Sequence, residues 1–153
     1  MARAPFQILV LPFRRCPDGH VLFVVFRRSD EPYWQGIAGG GEDSETPLEA
    51  AKREAKEEAG IPVTAEWCAL HSMSSVPVYH FHEREHWPRN PYVVPEYAFA
   101  VACPETELAI SREHSEFRWV SYDEARNLFR YDSNTTALWE LRERIINNDL
   151  PAC

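Results

Sequence analysis

Two apolar runs rich in β-branched and aromatic residues, Phe6 to Phe13 and His20 to Arg27, stand on either side of Cys16-Pro17-Asp18-Gly19. Strand-like runs separated by such turn chemistry predict a β-hairpin. Tyr33 to Ala38 is a short strand-like piece that feeds a run of three glycines. The pattern then changes period. Leu48, Ala51, Ala55 and Ala59 recur at helical spacing, with Thr46 placed to cap, Pro47 at the first position, Glu49 three residues after the cap, and Gly60 to end the helix.

Beyond that helix, Val63 to Ser72, Pro77 to His82 and Glu96 to Cys103 are expected as strands, and EREHWPRNPYVVP as a long surface loop between the last two. Loops of this length are uncommon in compact domains unless they have a job. Phe117 to Val120 reads as a short strand. Ser121 and Glu124 form a second capping box, leading a helix with Ala125, Leu128 and Phe129 inward. Ser133 or Asn134 is expected to cap a last helix whose stripe is Leu138, Leu141 and Ile145. Strands and helices without strict βαβ alternation predict an α+β fold, a mixed sheet flanked by helices. No internal repeat interrupts it, so residues 1–153 are expected to form a single domain.

Composition narrows the partners. Hydrophobic residues make up 44% and charged residues 26%, ordinary for a soluble globular protein. A formal net charge of -8 argues against a nucleic-acid polymer as partner, although bound cations can reverse the local field toward a small anion. Cys16, Cys68, Cys103 and Cys153 are widely spaced, with no zinc-type pair and no disulfide framework. The apolar run in MARAPFQILVLPFRR is too short for a signal peptide, and no stretch has the length of a membrane span. A cytoplasmic protein is expected. No heptad or large apolar run decides between monomer and homodimer.

The chemistry concentrates in GGGEDSETPLEAAKREAKEEAGI, residues 39 to 61. At about 3.6 residues per turn, Glu54, Glu57 and Glu58 stand at i, i+3 and i+4 on one side of the helix. Three crowded carboxylates raise one another's pKa, and a divalent cation removes that conflict. Hard oxygen ligands suit Mg2+, with Mn2+ as the alternative. Arg53 follows Glu49 and precedes Glu57 at i+4 intervals, placing it to pair along the helix and steady Glu57.

Gly39, Glu45, Arg53, Glu54, Glu57, Glu58, Gly60 and Ile61, at these spacings, resemble the box of the Nudix hydrolase family. Ala55 stands where a larger aliphatic residue is more usual, and Ser44 where many relatives have glycine. The resemblance implies a Nudix fold, an α/β/α sandwich, and metal-dependent pyrophosphohydrolysis of a nucleoside diphosphate linked to another group. It assigns Glu57 and Glu58 as main metal ligands, Glu54 as ligand or base, Arg53 to the catalytic set, and Gly39 and Gly40 to an unusual backbone path around the helix start. YWQGIAGG upstream, with EHSEFRWVSYDEA and YDSNTTAL downstream, is similar to the dATP pyrophosphohydrolase and dihydroneopterin triphosphate pyrophosphatase branch. That branch implies a further ligand or general base at Glu113, with Glu116 as the alternative.

The expected substrate is therefore a dATP-like nucleoside triphosphate or dihydroneopterin triphosphate, split to a monophosphate and pyrophosphate. Another nucleoside diphosphate compound (an NDP-sugar, a dinucleoside polyphosphate or an oxidised nucleotide) is the alternative, as is a non-catalytic nucleotide sensor. Candidate substrate contacts are Gly39 and Gly40, Arg28 at a strand end, Trp34 and Gln35 before the box, and Arg89 in the long loop. There Trp87, between Arg84 and Arg89, is a candidate to cover a base or pterin by stacking. His80 and His82 are expected on one face of a partly exposed strand.

Overall fold

The structure, a computed structural model, describes residues 2–153. Its centre is β1 (Arg3–Arg15), whose residues Ile8 to Phe13 are all buried. Such a continuous apolar run marks a strand covered on both faces. β1 runs antiparallel to β2 (Val21–Arg28) and β4 (Ile37–Glu42), and parallel to β6 (Val93–Ala102). Pro12 falls between the segment paired with β4, which ends at Val10, and the segment paired with β2, which begins at Phe13. Its missing N–H therefore breaks neither ladder. β3 (Trp34–Gln35) and β7 (His114–Val120) pair with β2, and β5 (Glu66–Pro77) pairs with β6, completing a seven-stranded mixed sheet.

The sheet has two buried faces, set by alternation along β1. Ile8 and Val10 pack with Val24, Phe26 and the alanines of α1 (Pro47–Ala59). Leu9, Leu11 and Phe13 pack with Ala125 of α2 (Tyr122–Leu128) and with Leu138 and Leu141 of α3 (Asp132–Ile146). This is the expected α/β/α sandwich. The Thr46–Glu49 capping box is fully formed, and Gly60 closes α1 in the left-handed region at φ 70°. At Ser121 the hydroxyl accepts from the Glu124 amide at 3.2 Å, but the Glu124 carboxylate meets that hydroxyl at 3.4 Å, so the second box is half closed.

Three expectations change. One strand, β5, runs from Glu66 through Pro77, where Val63 to Ser72 and Pro77 to His82 were expected as two. Ser72, Ser74 and Ser75 lie within this edge strand, whose pairing with β6 shifts register between Ala69 and Met73. Residues 78–86 leave the sheet in two 3-10 turns, Val78–His80 and His82–His86, so His80 and His82 do not alternate along a strand. The last helix begins at Asp132 after Tyr131, not at a Ser133 or Asn134 cap. Asn134 is buried, and its Oδ1 accepts the Gly36 N–H at 2.8 Å.

α3 is fastened to β5 by Glu140, which accepts the His71 and Ser72 amides at 2.6 and 2.7 Å, the Ser72 hydroxyl, and Arg144 Nε at 2.8 Å. Burial opposes the charge, but these donors overcome it and hold the carboxyl at about 2 against an ordinary 4.5. The folded protein thus binds fewer protons than the unfolded chain between those values. Stability from Glu140 is present above about pH 4.5 and is lost as pH falls toward 2, on the order of 2 kcal/mol. Denaturant titrations of wild type and Glu140→Gln should differ by roughly that amount at pH 7 and converge as pH falls to 2. A constant gap at both values would show that the charge is not what fastens the helix.

Candidate active site

Glu58 is the unexpected member of the α1 core: only 3% exposed, it is buried beside Ala55 and Ala59. Its Oε2 has no hydrogen-bond partner. Burial, then the neighbouring Glu113 and Glu54 carboxyls, push it up to about 11. Glu54 is also raised, by burial, against the pull of Glu58 and Arg53. Three acids from two distant segments therefore meet. Glu57, the third acid of the helix stripe, is 59% exposed and turned to Arg53 at 3.3 Å. Among the described residues, no three His, Cys, Asp or Glu side chains stand as a ready-made metal cage.

Backbone stitching brings Glu113 to this place. Ser111 N donates to Glu58 O at 3.1 Å and Ala109 N to Ala59 O at 3.1 Å, so the segment before β7 is bound to the end of α1. On its other side Ser29 N donates to Glu113 O at 2.9 Å, and Ser29 Oγ donates to Arg112 O at 2.6 Å. Glu116 lies further along β7 and pairs with Arg118 at 3.4 Å. Glu54, Glu58 and Glu113 line one open cavity of about 870 Å³; Glu57 and Glu116 do not.

Gly39 and Gly40 also line this cavity, but in extended backbone within β4. Their φ values are not positive, which corrects the expected unusual backbone path. What glycine supplies here is space. A Cβ on Gly39 would lie 2.6 Å from Glu54 Oε1, and one on Gly40 would fall on the Arg3 guanidinium.

Arg53 acts as a clamp below the cavity. Nε and Nη2 grip Glu45 at 2.8 and 3.0 Å, Nη2 also donates to Gly40 O at 2.9 Å, and Nη1 donates to Glu54 Oε1 at 3.0 Å. One guanidinium thereby joins β4, the loop and the helix.

Of the other candidates, Arg28 and Gln35 line the cavity. The Arg28 guanidinium is engaged by Asp30 through two bonds of 2.7 Å. Trp34 lies against the α2–α3 core with the Arg118 guanidinium 4.7 Å from its ring centre, and is not in the wall. Arg89, at φ 68°, is also outside it. Trp87 is buried, and its indole N–H donates to Arg3 O at 2.6 Å, so it packs the long loop onto β1 and offers no open stacking face. Arg3, Gln7 and Glu96 line the cavity without having been singled out in the sequence. Glu96 carried one available signal, a lone acid heading the apolar run YAFAVA.

Carboxylates converge at the mouth of the α/β/α sandwich, above a glycine strand clamped to a helix. Residues 7–139 match the family model of the Nudix domain, and the chain belongs to the Nudix family, as a hydrolase acting on phosphoanhydride bonds. It is 29% identical over 138 residues to the dihydroneopterin triphosphate diphosphatase of Escherichia coli K12, covering 89% of this chain and 91% of that protein. The structure of the E. coli dihydroneopterin triphosphate pyrophosphohydrolase superposes with a TM-score of 0.74 at 26% identity, covering 96% of this chain and 99% of that one. A crystal structure assigned to the Nudix hydrolases, from Listeria monocytogenes, gives a TM-score of 0.87 at 45% identity, covering 98% and 100%. No helix among the described residues is long and apolar enough to cross a membrane.

Proposed function

We propose that residues 1–153 act as one Nudix domain that hydrolyses dihydroneopterin triphosphate, or a dATP-like nucleoside triphosphate, to a monophosphate and pyrophosphate with Mg2+. The observation that carries this reading is the meeting of Glu54, Glu58 and Glu113 in the wall of a single cavity, with one buried Glu58 oxygen unpartnered. Carboxylate oxygens crowded in this way fit a hard divalent cation, and Mn2+ fits the same donors. Glu54, Glu58 and Glu113 would hold it, with Glu57 recruited from Arg53. When bound, the cation neutralises the diphosphate and acidifies water.

The chain's own residues do the rest. Glu113, exposed at the mouth, takes the proton of the attacking water. Arg28 exchanges Asp30 for a phosphate oxygen, while Gln35 contacts the organic half. Gly39 and Gly40 leave the room that Glu54 and Arg3 fill at the phosphate end of the cavity. Arg53 holds Glu54 in position from below. The balance of -8 and four unpaired cysteines accord with a small-molecule substrate and a cytoplasmic setting.

The test is pyrophosphate release from a panel of dihydroneopterin triphosphate, dNTPs, NDP-sugars and dinucleoside polyphosphates, with wild type, Glu113→Gln and Glu116→Gln. Dihydroneopterin triphosphate or a dNTP should give the highest kcat/KM. Glu113→Gln should lower kcat by about 10²-fold or more, as loss of a general base does. Glu116→Gln should stay within about twofold, since a surface pair contributes little. The reverse order would transfer the base to Glu116, and no hydrolysis of any diphosphate would sink the reading.

A further inference from the structure

A polar row crosses the sheet where its apolar alternation would continue. Gln7 of β1 is in register with Glu96 of β6, and Glu96 with Ser74 of β5; on the other side Gln7 is in register with Gly40 of β4. These side chains share the face that carries Leu9 and Ala98 one pleat further along. There the core ends and the cavity begins, and all four residues line it. Glu96 has little to hold its charge. Ser74 Oγ lies at 3.4 Å and Ser133 also reaches it, yet burial keeps the carboxyl above its ordinary range. The nearby cation is committed elsewhere. Arg3 lies with its guanidinium 4.8 Å from the Phe81 ring centre and donates to Gln7 Oε1. That bond takes up Gln7 Oε1 and leaves its side-chain N–H groups, both donors, for a ligand.

We propose that Glu96 and Gln7 read the 2-amino-4-oxopyrimidine edge that a pterin shares with guanine. The assignment rests on the pyrophosphohydrolase reading above and names the organic half of its substrate. That edge presents, in order, a carbonyl oxygen, a ring N–H and an exocyclic amine. A carboxylate accepts both N–H groups side by side, and an adjacent amide N–H donates to the carbonyl. The wall offers that sequence: one donor from Gln7 next to the two acceptors of Glu96. Adenine presents an amine beside a ring nitrogen that is itself an acceptor, so it gives Glu96 only one bond. The site thus favours the pterin and guanine edge, and the dATP-like alternative is the poorer substrate. The cavity that holds this row also holds Glu58 and Glu113, so one molecule can occupy both ends.

The experiment compares kcat/KM for dihydroneopterin triphosphate, dGTP and dATP in wild type, Glu96→Gln and Gln7→Leu, with melting temperatures. A well-made bidentate contact discriminates by about 1–3 kcal/mol, or roughly 5- to 160-fold. Glu96→Gln should therefore lower kcat/KM for dihydroneopterin triphosphate and dGTP by that factor, chiefly through KM. Turnover of dATP should stay within about threefold and serves as the control for intact chemistry. Gln7→Leu, which leaves every charge in place, should show the same preference loss more weakly and carries the test if Glu96→Gln does not fold. Equal losses on all three substrates, or an unchanged preference while wild type hydrolyses dihydroneopterin triphosphate, would overturn the assignment alone. Hydrolysis of none of the three by wild type would overturn both it and the substrate reading.

Discussion

Glu58→Gln should cut hydrolysis steeply and at the same time make the metal-free protein more stable. The loss follows from position. Glu58 is the most enclosed carboxyl of the three and the only one with a buried, unpartnered oxygen. Removing one such electrostatic partner from a water-excluded site costs about 3–4 kcal/mol of barrier, so kcat should fall by about 10²- to 10³-fold. The gain follows from protonation. Glu58 titrates at about 11 in the folded chain against an ordinary 4.5, because burial, Glu113 and Glu54 all disfavour its charge.

Between those values the folded protein holds a proton that the unfolded chain has released, so metal-free stability falls as pH rises above about 4.5. Glutamine carries no such penalty. Thermal melts in EDTA from pH 5 to 9 should show wild type losing Tm with pH and Glu58→Gln losing less. Adding Mg2+ should raise the wild-type Tm, increasingly at high pH, and leave the variant nearly unmoved. A variant that melts lower than wild type in EDTA would mean that Glu58 is a structural residue and not a strained one.

The same residue shows what could be read from the chain. α1 is local: its capping box, its alanine stripe and its terminal Gly60 stand within fifteen residues of one another, and all took the expected form. The stripe of acids was equally plain, but its periodicity gave no means of ranking them. Glu58 is buried and Glu57 is not because the end of α1 is covered by the segment at Ala109 and Ser111, which no helical pattern encodes. Glu113 was legible only through family resemblance, since its approach depends on that stitching.

The glycines were read for the wrong property. Gly39 and Gly40 sit in ordinary strand geometry, and what matters is the volume that Glu54 and Arg3 occupy in place of a Cβ. β5 reads as two strands, yet Ser72 to Pro77 continue a single strand beyond a register shift against β6 between Ala69 and Met73. Gln7, Ser74 and Glu96 lie in three separate segments, and only strand register makes them neighbours. Local propensity carries no register across such distances.

Arg53→Ala should be the most destabilising single change at the site, and Arg53→Lys should recover little of the loss. The guanidinium makes five hydrogen bonds: two to Glu45 and one each to Gly40 O, Glu54 and Glu57. Its charge is held firmly, Glu45 first and Glu54 next, against the cost of burial. Truncation leaves Glu45 and Glu54 partly enclosed without a counter-charge, at a cost of about 3 kcal/mol. Lysine restores charge but not the fork, because one ammonium cannot grip both Glu45 oxygens and reach the Gly40 carbonyl together. Exposed Glu57 contributes little to this balance.

Activity should fall as well, through position. Without Nη1, Glu54 is freed toward its repelling neighbours, and without Nη2, β4 is no longer tied to the helix beneath the phosphates. Urea titrations and kcat should therefore drop together in Arg53→Ala. A double-mutant cycle with Glu45→Gln should show strong coupling in stability, since the two side chains share one set of bonds. Additive effects in that cycle, or full rescue by lysine, would reduce Arg53 to a generic positive charge and remove the clamp from the account.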